Sequence, residues 1–223
     1  MPTGPRQLAL ALDHPESFAR EDFLSGPSNA AALALIETWP GWPHRSVILI
    51  GPEGSGKSHL AAIWARAAGA RLLAARALEE SMVPAALATG ALVVEDVVFG
   101  SIDERALFHL LNLAREDEAF VLLTGRSAPF NVAIRDLASR LRALPVVAMA
   151  PPDDALLRAV LVKLFADRQL AVDEGVIGYL ATRIERSFAA ARRLVARLDD
   201  EAMRQQRPLT RAFAAEYLRT ARA

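Results

Sequence analysis

The 223-residue chain contains no cysteine, which removes disulfides, iron–sulfur clusters and thiolate metal sites together. Lysine is almost missing as well: among 26 basic residues only Lys57 and Lys163 are lysines, while arginine and alanine abound, as a GC-rich coding bias would produce. Aromatic residues are only 6% against 52% hydrophobic, so a core has to be assembled mostly from Ala, Leu and Val. No apolar run approaches the roughly 18 residues that span a bilayer. The N-terminus has neither the charged start nor the apolar stretch of a signal peptide. A soluble cytoplasmic protein with no membrane partner is therefore expected. Charge of either sign is not in excess either, since 26 basic and 26 acidic residues cancel. That argues against a whole-chain basic surface for nucleic acid. The histidines, His14, His44, His59 and His109, have no ligand-like spacing.

What is present is an alternating pattern. Residues 1–20 carry Pro2, Pro5 and Pro15 and read as an extended tail. A helix is expected over 30–39, closed by Pro40, Gly41 and Pro43. The β-branched run 45–50 ends in glycine, as a buried parallel strand does. Helices are then expected over 56–68, 77–88, 103–116 and 134–141. They are interleaved with strands at 71–75, 91–95, 119–123 and 144–149. Alternation of this kind predicts an α/β domain with a five-stranded parallel sheet covered on both faces. After Pro151 and Pro152 the strands stop, and helices are expected over 153–168, 173–184, 187–206 and 210–220. Phe188, Ala191, Val195, Leu198 and Ala202 give the third of these one apolar face, and Ser187 and Thr210 suit N-caps. The expected division is a tail (1–20), an α/β domain (21–150) and a small all-helical domain (151–223).

Gly51, Pro52, Glu53, Gly54, Ser55, Gly56, Lys57 and Ser58 fit G-x-x-x-x-G-K-[ST] at every fixed position. In such a P-loop, glycines let successive N–H groups converge on phosphate oxygens. A helix starting at Gly56 adds its positive end, and His59 follows in its first turn. Lys57 would neutralise the β- and γ-phosphates and the Ser58 hydroxyl would take a place on Mg²⁺. A strand leading in and an apolar helix leading out support the motif. The bound ligand is expected to be ADP or ATP. P-loop hydrolases also need a carboxylate at a neighbouring strand end to hold Mg²⁺, often with a second to orient water. Glu95 and Asp96 supply both, with the metal expected on Ser58 and Glu95 and the catalytic role on Asp96. Arg140 is either a surface ion-pair partner or an arginine finger that enters a neighbouring subunit's nucleotide site.

Phosphate loop, acidic strand end, Thr124-Gly125 strand end, Ser139-Arg140 segment and four-helix extension together resemble the AAA+ ATPases. Within them the resemblance is to the branch of the replication initiator DnaA and its regulator Hda, and it covers essentially the whole chain. Phe23-Leu24-Ser25-Gly26-Pro27-Ser28-Asn29 is similar to the family segment that closes over adenine. Leu122 to Gly125 followed by Pro129 is similar to its fourth strand and turn, and the stretch from Asp136 to Leu141 to its arginine-finger box. The final helices would be its lid. Gln7, Leu8, Leu10 and Leu12 resemble the Hda tail motif that docks on the replicative sliding clamp. Physically, these leucines alternate with small residues, so an extended strand would offer them together to an apolar groove. The chain ends at Ala223 without a helix-turn-helix module, and 71–90 leaves little room for the initiators' single-strand-gripping element, so sequence-specific DNA binding is not expected.

The resemblance implies a regulator that docks on the sliding clamp and offers Arg140 in trans to the ATP site of DnaA, stimulating hydrolysis there. Three departures from the family pattern imply weak intrinsic ATPase activity at most. Glu95 stands where the family usually has aspartate, Arg126 where it has a polar sensor, and Ala189 where a lid arginine is usual, with Arg186 and Arg192 one turn away. Which of Glu95 and Asp96 holds the metal stays open, as does self-association. The alternatives are an AAA+ helicase loader or remodelling ATPase and a P-loop small-molecule kinase. A further alternative is nonspecific DNA contact through residues 183–223, which hold ten arginines against five acids.

Overall fold

A computed structural model describes residues 18–128 and 132–220. They divide into two compact units, one of Phe18–Asp153 and one from Asp154 onward. In the first unit, α1 (Ala30–Glu37), β1 (Ser46–Ile50), α2 (Lys57–Ala68), β2 (Arg71–Ala74) and α3 (Val83–Leu87) come in that order. They are followed by β3 (Ala91–Val97), α4 (Glu104–Glu116), β4 (Phe120–Gly125), α5 (Arg135–Ala143) and β5 (Val146–Ala148). The strands form one five-stranded sheet in the order β2-β3-β4-β1-β5. Every pairing is parallel.

Period-two alternation sorts the strand side chains onto two faces. Ile48, Leu92, Val94, Val121 and Leu123 join the core under α3, α4 and α5. Val47, Leu49, Ala91, Val93 and Leu122 join the opposite core with α1 and α2. Both faces are covered, which is why these strands read as unbroken apolar runs. Helix α2 is fixed by Leu60, Ala61 and Trp64, all fully buried. Trp64 stacks on Trp42 at 4.8 Å. A buried leucine such as Leu60 is worth about 1.5–3 kcal/mol when taken out of water, so the start of α2 is anchored from behind.

The elements depart from expectation in four places. The helix expected over 77–88 is two 3₁₀ turns, Ala75–Ala77 and Glu80–Met82, followed by the short α3. Pro84 lies in the first turn of α3, where its missing N–H does no harm; further inside a longer helix it would remove a bond and clash. Strand β3 runs on to Val97 instead of ending at 95, with a register shift between Val94 and Val97. β4 continues to Gly125 rather than 123, and β5 is trimmed to Val146–Ala148.

The second unit is α6 (Asp154–Asp167), α7 (Glu174–Ala181), α8 (Phe188–Gln205) and α9 (Arg211–Thr220) around its own core. Leu157, Leu161 and Phe165 meet Ile177, Leu180, Val195, Leu198 and Phe213 there. The helix starts follow their caps. Ser187 Oγ accepts from the Ala190 N–H at 3.2 Å and Thr210 Oγ1 from the Phe213 N–H at 3.2 Å. No described helix is long and apolar enough to cross a membrane.

Candidate functional site

β1 lies between β4 and β5, and the chain leaves its carboxyl end directly into Gly51. In an open parallel sheet, the crevice outside such strand ends is where ligands bind. The Gly51 N–H donates to the Gly125 carbonyl at 3.1 Å, tying the turn to the end of β4. A Cβ on Gly51 would meet the Met149 carbonyl at 2.7 Å and Ser55 Oγ at 2.9 Å, so only glycine fits. Gly54 and Gly56 have φ of 70° and 99°, the left-handed region that lets the main chain curl. Gly56 is the N-cap of α2, and it offers no side chain to occupy the first free N–H groups. Those donors and the helix's positive end therefore point into the turn, ready for an anion.

Lys57 opens α2 and is buried, 7% exposed. Its Nζ donates to the carbonyls of Gly51 and Pro52, both at 2.8 Å. Burial holds its pKa below the ordinary lysine value; Asp96 pushes it back up, Arg126 down and Glu53 up. Lysine, two carboxylates and an arginine thus feel one another across the turn. The Arg126 Nη2 donates to Glu53 Oε2 at 2.8 Å, with both side chains about two-thirds exposed (69% and 70%). A pair so wet contributes at most about 1 kcal/mol to stability.

The two acids sit at the register shift of β3. Val94 pairs with Leu123 and Val97 with Gly125, so Glu95 and Asp96 share the space opposite Thr124. Asp96 adopts φ of 57°, and its N–H donates to Thr124 Oγ1 at 3.2 Å. Its side chain is exposed, whereas Glu95 Oε1 is buried without a hydrogen-bond partner. Ser55 Oγ is likewise buried and unpartnered. Among the described residues no cluster of three or more His, Cys, Asp or Glu is placed to hold a metal. The donors that remain, the Ser58 hydroxyl and one carboxylate, are hard oxygens and few. That set fits Mg²⁺, which keeps several waters and takes the rest of its ligands from phosphate.

His59 turns toward the segment before α1. Its Nε2 lies 3.0 Å from the Ala19 carbonyl, and its ring meets Phe18 and Phe23 edge-on at 5.4 and 5.2 Å. That segment is held in shape by Asn29, whose Oδ1 accepts from the Gly26 N–H while its Nδ2 donates to the Leu24 carbonyl. The Ala150 N–H donates to the Ser28 carbonyl at 3.0 Å, and Ser28 Oγ is buried without a partner. Elsewhere in the unit, Arg140 on α5 is half-buried with its guanidinium 5.1 Å over the Phe108 ring of α4.

The structure thus brings together residues 51–58, Asp96 and Arg126, with Glu95 beside Asp96 in β3. Gln7, Leu8, Leu10, Leu12 and Pro129 lie outside the described residues. Arg186, Ala189 and Arg192 belong to the helical unit, where Arg186 pairs with Asp154 at 2.8 Å. Sequence reasoning missed the Thr124 hydroxyl that fixes the bulge and the Glu53–Arg126 pair. Neither leaves a local signal, since the partners are 28 and 73 residues apart.

No family model matches the chain. Among solved structures it is similar to domain III of the Thermotoga maritima replication initiation protein DnaA, with a TM-score of 0.75 and 19% identity over 91% of this chain and 96% of that one. It is also similar to replication initiator DnaA bound to AMPPCP and single-stranded DNA, with TM-score 0.66 and 18% identity over 85% of this chain and 68% of that one. The Thermotoga maritima RuvB Holliday junction branch migration motor gives TM-score 0.71 and 15% identity over 92% and 72%. Identities this low speak for the fold alone: the chain shares the fold of DnaA domain III and of the RuvB motor.

Proposed function

We propose that this chain is an adenine-nucleotide-binding AAA+ regulator of replication initiation. In this reading it docks on the sliding clamp through its N-terminal leucines and stimulates ATP hydrolysis by the initiator DnaA. The observation that carries the nucleotide part is the phosphate turn: left-handed glycines, an uncapped helix start and a buried lysine converge at one strand end. AMPPCP in a DnaA of the same fold favours adenine as the base. Residues 23–29 and His59 would border that base, and residues 51–58 would hold its phosphates. Mg²⁺ would be held by Ser58 with Glu95 or Asp96, and would supply positive charge against the β- and γ-oxygens.

Arg140 is the residue we assign to the partner's site. Its guanidinium would stabilise charge developing on the transferred phosphoryl group, and this chain would make no covalent step itself. The chemistry would thus belong to the partner, and the intrinsic rate of this chain would be low because Arg126 stands where a water-positioning group is expected.

Calorimetry with Mg-ATP and Mg-ADP, a clamp pull-down, and DnaA hydrolysis measured with and without this chain test the proposal together. Arg140→Ala is expected to abolish stimulation, of the order of 10³–10⁵ where an arginine finger acts, while nucleotide and clamp binding persist. Ala at Leu10 and Leu12 should cost clamp binding alone. Loss of all three activities in Arg140→Ala would refute the assignment, and absence of nucleotide uptake at millimolar ligand would refute the site. Likeness to the RuvB motor keeps a remodelling ATPase as the second reading. It needs no leucine tail, so deleting residues 1–12 would leave its activity unchanged.

A further inference from the structure

Glu53 is an odd residue to find in a turn that gathers anions. It stands between Pro52 and Gly54, on the same few residues whose N–H groups and lysine favour phosphate, and its own charge opposes that. Its carboxylate accepts a hydrogen bond from Arg126 Nη2 at 2.8 Å. The arginine is not there by long reach. It follows Gly125, whose carbonyl accepts from the Gly51 N–H, so the ends of β4 and β1 are joined by main chain. Gly125 is itself confined, since a Cβ there would meet the Val97 carbonyl at 2.9 Å. Arg126 is therefore delivered to the phosphate turn by sheet geometry.

Both cations of the site are held by groups of the turn. Lys57 donates to the Gly51 and Pro52 carbonyls and Arg126 to the Glu53 carboxylate. A guanidinium fork accepts a carboxylate or a phosphate in the same geometry, so the two are interchangeable partners. Because Arg126 and Glu53 are each about 70% exposed, little packing has to be undone for one anion to replace the other. Arg126 lies toward β3 and its acids, on the β4 side of the turn, away from β5. In the nucleotide reading, those acids stand beside the metal and mark that side as the one where the phosphate chain ends.

We propose that Glu53 is an internal competitor for Arg126: its carboxylate and the terminal phosphate of a nucleoside triphosphate alternate on one guanidinium, and the pair sets the preference for triphosphate over diphosphate. The inference rests on the nucleotide reading of residues 51–58. Removing the Glu53 charge frees the arginine for the third phosphate and strengthens ATP binding. Removing the arginine leaves Glu53 with nothing to compete for.

Calorimetry of the full chain with Mg-ATP and with Mg-ADP, at low and high salt, tests this on Glu53→Gln, Arg126→Ala and the double variant. Glu53→Gln is expected to tighten ATP roughly fivefold at low salt, as freeing a surface ion pair allows, and to change ADP less than about twofold. Arg126→Ala is expected to weaken ATP about tenfold, the loss of one charge-assisted contact, with ADP little affected. In the Arg126→Ala background, Glu53→Gln should tighten ATP only as little as it tightens ADP, through the loss of its charge alone. Equal tightening in both backgrounds would mean that Glu53 repels phosphate through space without competing, and would overturn the proposal. Equal tightening of ATP and ADP would overturn it too. If the unaltered chain and Lys57→Ala alike take up neither nucleotide, the nucleotide reading itself fails, an outcome distinct from uptake without the Glu53–Arg126 coupling.

Discussion

Lys57 sets a conflict between burial and charge, and pH resolves it. Burial lowers its pKa from 10.5, more than Asp96 and Glu53 restore. Between that lowered value and 10.5 the unfolded chain holds more protons than the folded one, so stability rises with pH through this window. Below that window the ammonium is charged in both states, and the cost of burying it is fully present. Phosphates reverse the balance, because their negative charge favours the ammonium. Nucleotide binding should therefore take up a proton at alkaline pH, and affinity should fall as pH climbs through the lowered pKa. Calorimetry in buffers of different ionisation enthalpy would register both, and Lys57→Arg should flatten the profile because guanidinium stays charged. A flat profile in the unaltered chain would contradict this. The turn at residues 51–58 was legible because its conformation lies in local backbone chemistry, which eight consecutive residues carry whole. The Glu53–Arg126 pair was not, because only the strand order, with β4 beside β1, brings residue 126 to residue 53.

Capping decides several of the elements. Ser187 is buried, 3% exposed, and its hydroxyl satisfies an N–H at the start of the 18-residue α8. Ser187→Ala should cost about 1 kcal/mol, seen as a lower melting temperature, and Ser187→Asp should recover most of it. A melting temperature unchanged by the alanine would mean the bond contributes nothing. This helix and its start could be read from the sequence, since Ser187, Ala191, Val195, Leu198 and Ala202 carry cap and apolar face in one segment. Residues 77–88 could not. Their composition favours helix, but Pro84 confines the α-helix to Val83–Leu87, and the preceding residues take tighter turns. The length of β3 was hidden for another reason. Glu95 and Asp96 look like a polar strand end, yet the Thr124 hydroxyl and a bulge carry the pairing past them to Val97.

At the scale of the molecule, two units with separate cores should report separately on damage. Phe165 is 1% exposed in the helical core. Phe165→Ala should remove about 3–5 kcal/mol from that unit, while the Phe18–Asp153 unit keeps its nucleotide affinity. Scanning calorimetry of the intact chain should then resolve two transitions, with the later one raised by nucleotide. One transition moving as a whole, with affinity lost alongside, would mean that the cores are coupled. The alternation of strands and helices and its end near Pro151 and Pro152 made the two-part organisation readable, whereas the strand order was not, since nothing local says that β4 and β5, and not β2, flank β1. That order also governs how the protein behaves in crowded solution. An open sheet has two margins where a foreign strand can add, and here they fall to β2 and β5, of four and three residues. Leu72 and Val146 are exposed on them, which would be hazardous on a long margin. Margins this brief give an intruder too few main-chain groups to hold, so concentrated samples gain resistance to fibrous assembly from the shortness of two strands.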